Sequence, residues 1–482
     1  MNRSRETEEN RGNRRITVSL GADVSEGYVL RQGIRLQHAE HFDFTAMTLG
    51  LETPQQLGER LAAQVIATLD EKEEKPNRIA CDLYPKFPTT YAAEALAEHY
   101  QVPMLRMQKC HRAILDAMDA SMQSDAARTP SLCEEGQENG EAEELDTASH
   151  RSEQLKTHST AEAATGRDAS TAVLGICLDD QSYGSDGTLW GGEILEISGE
   201  GFTRLASIHP YQLIGTNMEL HSSTPWQTAV SILYDLARMA HNEDEAIRDF
   251  VAKQAASEKV HLLDLCSLND ARAQYIAQDR NKNTTRSTAA SGLFDAAAAI
   301  LGFQRISTPT GRTAMEALTE AAEAFEPQAD SGRNRAQVDA LYAKLEKLIA
   351  AAEEMDDPTL EPGDLWEDTD DGAFSETSAD DRPDILHTEQ LIRLLADERI
   401  RYLTSLGKRN YDHPLNRKHP DAGSADDNSR LLAWFLLDAL AAICVQYCAG
   451  KHVVLSGHFL KATRLRERFE EKLKLARGPV VW

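Results

Sequence analysis

The sequence predicts an α/β protein whose sheets contain strands of mixed direction. Short strand-like runs alternate with amphipathic, helix-like segments along most of the chain, which is the pattern of strands packed against helices. Apolar residues make up 41% of the 482 positions, so the chain is able to bury a substantial core. Its length corresponds to about two to four domains.

The first quarter of the chain alternates strands and helices after a polar tail at residues 1–14, which we expect to be disordered. In chain order, the predicted elements are a strand at 15–22, a strand pair at 27–42, a helix at 53–75, a strand at 78–85, a helix at 90–100, a strand at 102–108 and a helix at 109–122. The helix at 53–75 carries Leu57, Leu61 and Leu69 at helical spacing, as an amphipathic helix requires.

Two low-complexity segments interrupt this alternation. Residues 123–170 are rich in Ser, Thr, Glu, Ala and Gly and contain almost no aliphatic side chains, which predicts a disordered insertion. Residues 354–384 are strongly acidic and predict a solvated linker.

Strand and helix signals return after the insertion. The predicted elements are strands at 171–178 and 199–208, helices at 225–240, 244–256, 291–303, 313–325, 388–405 and 431–449, a strand at 452–457 and a helix at 459–476. Residues 15–122 and 171–320 are therefore expected to form the first part of one domain. Residues 385–482 are expected to form its C-terminal part, cut short at the end.

The acidic balance of the chain limits its partners. The sequence has 78 acidic and 51 basic residues, a formal net charge of −27, whereas nucleic-acid binding needs a basic surface. The seven cysteines show no disulfide or zinc spacing, which is typical of thiols in a reducing compartment. The N-terminus lacks an apolar signal segment and no apolar run reaches about 18 residues. We therefore expect a cytoplasmic protein with no nucleic-acid or membrane partner.

Residues 178–195, LDDQSYGSDGTLWGGEIL, combine three aspartates and four glycines directly after a predicted strand. Glycine lets backbone N–H groups approach an anion closely, and an aspartate at a strand end is able to hold a metal ion or orient a hydroxyl. Turn chemistry explains the same residues as two tight hairpin turns, SYGSDGT and WGGE. A second strand-to-glycine junction, HVVLSGHF at 452–459, has the form of a phosphate-binding turn, although strand-to-helix packing also produces it.

Six blocks of the chain, taken in order, resemble the C-terminal domain of the HypF family of hydrogenase-maturation carbamoyltransferases. They are CDLYP at 81–85, QKCHRA at 108–113, LDDQSYGSDGTLWGGE at 178–193, PW at 225–226, LFDAAAAILG at 293–302 and LSG at 455–457. The WGGE block is specific, and the resemblance covers about residues 15–320 and 385–475. Both low-complexity segments lie outside it.

This resemblance implies a two-lobed α/β fold of the actin and sugar-kinase ATPase type with mixed sheets, related to the tRNA threonylcarbamoyltransferases. In that fold two lobes enclose a nucleotide and a metal. The resemblance also implies transfer of a carbamoyl group from carbamoyl-adenylate to the C-terminal cysteine of a partner, a step in the maturation of nickel–iron hydrogenase. The family's preceding domains are absent from the sequence, so a separate adenylate-forming protein is expected to supply the donor.

The same resemblance assigns the site residues. Asp179 matches a metal-binding aspartate of the family, and it is the expected catalytic residue, orienting a metal or a nucleotide. The residues expected to bind the nucleotide, which is carbamoyl-adenylate or ATP, are Asp179, Tyr183, Gly184, Asp186, Gly187, Gly191, Gly192, Glu193, Ser456 and Gly457.

The metal side of the site departs from the family pattern. The first and last histidines of the family's VQHHHAH block bind metal, and this chain has Lys109 and Ala113 in their places. His111, the middle histidine, remains, but no coordinating residue stands one helical turn away. Because lysine adds positive charge beside a cation, Asp179 and His111 are the candidates left for a divalent ion. A nucleotide-bound Mg²⁺ on one carboxylate and Lys109 on a phosphate stay open as alternatives.

Three functions follow from these patterns. The first is an active carbamoyltransferase that acts on a maturation partner. The second is a degenerate paralog that has lost metal ligands and serves as a non-catalytic binding or scaffold protein. The third is another member of the actin and sugar-kinase group, such as a phosphotransferase. Mg²⁺-dependent nucleotide binding that disappears in an Asp179→Ala variant favours an enzyme over a scaffold.

Overall fold

The computed structural model describes fourteen segments of the chain, and the statements below concern these residues. They are 16–20, 28–32, 35–40, 52–128, 173–198, 201–214, 225–239, 285–303, 313–329, 332–355, 383–405, 426–448, 451–461 and 463–476. The predicted N-terminal tail and the predicted helix at 244–256 lie outside these ranges.

The first sheet has five strands in the order β3-β2-β1-β4-β5. The strands are β1 (Ile16–Leu20), β2 (Tyr28–Gln32), β3 (Arg35–Glu40), β4 (Arg78–Cys81) and β5 (Met104–Arg106). Strand β2 is antiparallel to both β1 and β3, whereas β4 is parallel to both β1 and β5. The strand pair predicted at 27–42 is therefore the β2–β3 hairpin.

The second sheet has seven strands. They are β6 (Val173–Tyr183), β7 (Leu189–Ser198), β8 (Gly201–Ile208), β9 (Tyr211–Gln212), β10 (Arg286–Ser287), β11 (Asp384–Leu386) and β12 (His452–Ser456). Strand β7 is antiparallel to β6 and to β8, whereas β12 is parallel to β6 and β11 is parallel to β8.

The two sheets share one strand pattern. In each sheet an antiparallel trio, β3-β2-β1 in the first and β8-β7-β6 in the second, is followed by a strand parallel to the trio's last member. The chain thus builds two α/β lobes around sheets of mixed direction, as the sequence predicts.

Ten α-helices cover the sheets. They are α1 (Pro54–Glu71), α2 (Pro88–Tyr100), α3 (Lys109–Arg128), α4 (Pro225–Met239), α5 (Ala290–Leu301), α6 (Ala314–Ala329), α7 (Gly332–Met355), α8 (Thr388–Ser405), α9 (Asp427–Val445) and α10 (Thr463–Leu475). These are the helices of the described segments. Helix α1 begins with a capping box, in which Thr53 and Gln56 each accept a hydrogen bond from the other's backbone N–H, so its first turn is fixed locally.

The first lobe has its own core between the sheet and helices α1 and α2. Val18, Leu57, Leu61 and Ile79 are completely buried there. Each such side chain contributes about 1.5 to 3 kcal/mol by leaving water. The described core of the first lobe is therefore formed by residues between Val18 and Met104.

Helices pack on both faces of the second sheet. Leu174 and Ile176 of β6 belong to the large core formed with α4 to α10, whereas Cys177 belongs to a smaller core that includes Cys110 and Ile114 of α3. Because neighbouring residues of a strand point to opposite faces, α3 covers the face away from the other helices. This placement brings the N-terminal end of α3 to the junction of the lobes.

The structure extends or corrects several predicted boundaries. Helix α3 runs to Arg128, six residues into the segment predicted as a disordered insertion, and the remainder of that segment lies outside the described residues. Helix α7 was not predicted at all. It enters the predicted acidic linker at its last two residues, while the linker's final residue begins β11.

Helix α9 is the apolar centre of the second lobe. The helix from Asp427 to Cys448 is long and apolar enough to cross a membrane by length and composition, and 72% of its apolar window is buried inside the fold. The expectation that no apolar run reaches about 18 residues therefore does not hold for this helix, by length and composition. Its burial among α6, α8 and α10 accounts for its composition.

Candidate active site

The first turn of α3 lies where the strands of both lobes end. The Lys109 ammonium contacts the Asp179 carboxylate of β6, with 3.0 Å between Nζ and Oδ1, and both side chains are 3% exposed. Asp179 Oδ1 also accepts a hydrogen bond from the backbone N–H of Asp180 at 2.8 Å. The carboxylate predicted to lie at the centre of the site is thus paired with a lysine of α3.

A second pair of charges completes this cluster. Arg112 of α3 donates a hydrogen bond to the carbonyl of Leu20 at the end of β1. Asp82, which follows β4, is 1% exposed, and its Oδ1 accepts from the backbone N–H of Tyr84 at 3.0 Å. Burial raises the pKa of Asp82, while the Tyr84 N–H, Arg112 and Lys109 act in the opposite direction. Two buried cations of α3 therefore face two buried carboxylates, one from each lobe.

Gln108 fixes the start of α3 against the second lobe. Its Oε1 accepts a hydrogen bond from the backbone N–H of His111 at 3.0 Å, and its Nε2 donates to Ser182 Oγ of β6 at 3.1 Å. The side chain thus satisfies one of the N–H groups that a helix start leaves unpaired. It also holds the first turn of α3 in register with the end of β6.

Two tyrosines close the junction from opposite lobes. The rings of Tyr84 and Tyr183 are stacked, with centroids 4.5 Å apart and planes 10° apart. Burial, followed by the proximity of Tyr84, raises the pKa of Tyr183 to about 12. Tyr183, predicted to bind the nucleotide, therefore lies at the junction and contacts the first lobe directly.

The structure brings the two strand-to-glycine junctions together. Strand β12 runs parallel to β6 with Ser456 opposite Cys177, and Gly457 follows at φ +96°. A Cβ atom at Gly457 would overlap the carbonyl oxygen of Leu178, so the position requires glycine for both conformation and space. Ser456 and Gly457 are thus neighbours of Asp179, as expected for two sides of one site.

The other predicted residues of the glycine-rich stretch form a hairpin network beside the junction. Arg204 of β8 donates to Glu193 Oε2 at 2.7 Å and to Asp186 Oδ2 at 2.7 Å, and its guanidinium lies 4.0 Å from the ring centre of Trp190. Glu193 is completely buried and also accepts hydrogen bonds from Gly191 N–H and the Thr288 hydroxyl. These contacts hold the β6–β7 hairpin in shape.

The glycines of this hairpin have distinct local roles. Gly184 and Gly187 form the turn between β6 and β7, with Gly187 at φ +79°. Gly191 and Gly192 lie inside β7, where a Cβ at Gly191 would come within 2.7 Å of the carbonyl oxygens of Asp179 and Asp180. The interpretation of SYGSDGT as a hairpin turn is correct, whereas WGGE is strand and not turn.

His111 is buried against the second sheet. It is 5% exposed, and its ring lies 4.7 Å from the ring of Phe202 on β8. Within the described ranges, no three His, Cys, Asp or Glu side chains come together in a way that would hold a metal ion. The donor set at Asp179 therefore does not fit a divalent ion, because a lysine ammonium takes the place of the expected imidazole.

A pair of carboxyl groups lies near the other side of β6. Burial, followed by repulsion from Asp180, raises the pKa of Asp295 on α5 to about 7. In the unfolded chain this carboxyl ionises near its usual value of about 4. The stability that its protonated form contributes is therefore lost as the pH rises from about 4 to about 7.

We expect an Asp295→Asn variant to be more stable than the wild type above neutral pH. The difference in the free energy of unfolding should grow between about pH 4 and pH 7 and reach about 2 kcal/mol at pH 8, allowing for the partial exposure of the side chain. Urea unfolding across this pH range measures it. Asp397→Asn, at an exposed ion pair with Arg393, is the control. A constant difference over the whole range would show that Asp295 ionises normally.

The second lobe is similar to a domain of Kae1-like carbamoyltransferases. Residues 175–361 match the family model described as the second subdomain of the Kae1-like carbamoyltransferase domain. The particular relatives are HypF proteins, and the chain is related to them at low sequence identity. The resemblance predicted from the sequence is thereby confirmed.

Curated relatives and a solved structure define how far this relation extends. The HypF homolog of Cupriavidus necator is 27% identical over 237 residues, which are 48% of this chain and 43% of the relative. HypF of Rhizobium leguminosarum is 26% identical over 301 residues, 62% of this chain and 29% of the relative. The crystal structure of T. kodakarensis HypF is 14% identical, with a TM-score of 0.50, and covers 97% of this chain and 45% of that one. The predicted fold class is confirmed, and the chain spans less than half of these relatives.

Several residues of the junction were not identified as site residues from the sequence. The sequence does not identify Arg112, Gln108 and Arg204, because each one's partner lies on a different element. The signal that the sequence does contain is Lys109 in the place of a family histidine. The pairing itself depends on two elements 70 residues apart in the chain and could not be read from either alone.

Proposed function

We propose that the chain is a HypF-type carbamoyltransferase that moves a carbamoyl group from carbamoyl-adenylate to a cysteine of a partner protein. The observation that carries the proposal is the relation of residues 175–361 to the Kae1-like carbamoyltransferase family. The partner is a hydrogenase-maturation protein that offers a C-terminal cysteine, and an adenylate-forming protein supplies the donor. The carbamoyl transfer, the maturation partner and the donor-supplying protein all belong to the proposal.

The chemistry asked of the site is acyl transfer without a change of oxidation state. The thiolate of the partner's cysteine attacks the carbamoyl carbon, so that a carbon–sulfur bond forms. The bond from that carbon to the adenylate oxygen breaks, and AMP leaves. The thiol proton passes to solvent when the thiolate forms. The protein's contribution is to hold the two reactants in line and to stabilise the charge that develops on the carbonyl oxygen.

Two neighbouring features of the lobe junction suit the adenylate phosphate. Gly457 ends β12 beside Asp179, and a glycine turn after a parallel strand is a frequent phosphate site. The N-terminal end of α3 brings Lys109, Arg112 and the positive end of its dipole to the same place. We propose that these groups bind the phosphate. Asp179 then has the role of positioning Lys109.

The proposal is tested by supplying the full chain with carbamoyl-adenylate made in situ by an adenylate-forming enzyme. A synthetic peptide that ends in cysteine serves as acceptor, and mass spectrometry follows its carbamoylation. We expect the reaction to depend on the chain and to slow by at least about tenfold in Asp179→Asn, with Asp397→Asn as the unaffected control.

Circular dichroism of the variants ensures that a lost activity is not a lost fold. Carbamoylation no faster than in the reaction without the chain, together with no AMP binding by calorimetry, would overturn the proposal. That outcome would favour the non-catalytic paralog considered in the sequence analysis.

A further inference from the structure

We infer that Lys109 is a built-in cation, whose ammonium occupies the position on Asp179 that the family resemblance assigns to a divalent metal ion. The assignment depends on the relation to HypF and not on carbamoyl transfer. Its observation is the buried ion pair of Lys109 with Asp179, with 3.0 Å between Nζ and Oδ1. An ammonium at that distance donates a charge-assisted hydrogen bond to the carboxylate oxygen that would otherwise coordinate a metal.

The charges around Asp179 are already balanced without an ion. Lys109 and Arg112 face Asp82 and Asp179, and each of the four side chains is at most 6% exposed. The two positive charges of a divalent ion buried among them would go uncompensated, which is costly in a weakly solvated site. A divalent ion on the same carboxylate would also repel the ammonium across a few ångströms.

The coordinating groups around Asp179 point to the same conclusion. Four positions align with the family's histidines, and Lys109 and Ala113 offer no ligand there. Cys110 is buried in an apolar cluster with Cys177, and the His111 ring packs on Phe202. Lysine is a poor ligand while it is protonated, since a metal needs a free electron pair. The chain thus replaces an exchangeable ion by a residue that is always present.

A permanent cation changes how the site depends on its surroundings. A metal-bound cleft loses its ion to a chelator and regains it from solution, with a matching change in stability. A cleft held by Lys109 keeps its charge at every metal concentration. Metal independence and carbamoyl transfer are separate properties, so a chain that fails the transfer assay can still pass the test below.

The test uses the full wild-type chain and Asp179→Asn, each treated with chelator, dialysed and offered Mg²⁺, Mn²⁺ or Zn²⁺ in turn. Bound ion is counted by elemental analysis, and the midpoint of thermal unfolding is recorded with and without each ion. We expect far less than one ion per wild-type chain and no ion-dependent shift of the midpoint. Stoichiometric binding in the wild type that Asp179→Asn removes would overturn the inference.

A second variant tests whether the ammonium itself keeps the ion out. Lys109→His replaces the cation by a ligand next to Asp179, so we expect Mn²⁺ or Zn²⁺ to raise its unfolding midpoint, and Lys109→His with Asp179→Asn to lose the effect. Lys451→His is the matched control, because Lys451 pairs with Glu196 at the same 3.0 Å but at the surface. A folded Lys109→His chain that gains no ion-dependent stability would contradict the inference. If that variant does not fold, the wild-type measurements decide.

Discussion

Replacing Lys109 by methionine is expected to lower the free energy of unfolding by about 3 to 5 kcal/mol. The substitution keeps much of the side-chain volume but leaves the Asp179 carboxylate, 3% exposed, without its counter-charge. The cost is the desolvation of an unpaired ion and not the loss of one hydrogen bond. Urea unfolding followed by circular dichroism at neutral pH measures the change.

Two further variants separate this effect from general disruption. Lys451→Met breaks an ion pair of the same length whose partners are 40% and 32% exposed, and it should cost less than about 1 kcal/mol. The double variant Lys109→Met with Asp179→Leu removes both charges and should regain most of the lost stability. If the double variant were as unstable as the single one, packing and not charge would explain the loss.

The second large effect is expected for Arg204→Met, again about 3 to 5 kcal/mol of destabilisation. Arg204 is the counter-charge of Glu193, which is completely buried, and it also holds Asp186 and covers the Trp190 ring. Without Arg204, the Glu193 carboxylate would remain buried in the β6–β7 hairpin with only neutral hydrogen-bond donors. Urea unfolding gives the stability, and near-ultraviolet circular dichroism reports on the packing of the tryptophan.

A matched pair of variants makes this prediction specific. Arg204→Lys keeps the charge but not the planar group that reaches both carboxylates at once, so we expect a smaller loss. Arg60→Met removes an arginine from an exposed pair with Glu52 and should change stability by less than about 1 kcal/mol. Equal losses in Arg204→Lys and Arg204→Met would show that geometry, and not charge, is what Glu193 needs.

The sequence carried enough information to predict the architecture. Helix α8 was predicted at its observed bounds, because its start and its apolar spacing are local features. Helix α9 begins four residues earlier than predicted, since the Asp426 side chain accepts a hydrogen bond from Ser429 N–H and caps it. Helix α7 was missed because its charged and alanine-rich surface gives only a weak apolar face.

The segments that form the site could be predicted from the sequence, but the contacts between their side chains could not. The family resemblance assigned Asp179 and Gly457 to one nucleotide site and so predicted that they are neighbours, whereas each strand-to-glycine junction alone also fitted plain packing. The residue that the Lys109 ammonium contacts depends on how α3 packs across the second sheet. No local sequence pattern specifies that packing. For the same reason Glu193, expected at a nucleotide, is found bonded to Arg204; whether it also contacts a nucleotide stays a prediction.

The pairing of β12 with β6 has a consequence for how the protein is made. The two strands are about 280 residues apart in the chain, whereas the first lobe is assembled from neighbours in sequence. During synthesis the first lobe is able to fold as soon as its residues have emerged, but β6 must wait for about 280 further residues before its parallel partner β12 exists. In that interval one edge of β6 is an exposed template for wrong strand pairing. The Gly457 turn therefore forms later than the first lobe, and the newly made chain depends most on protection from aggregation just before β12 pairs with β6.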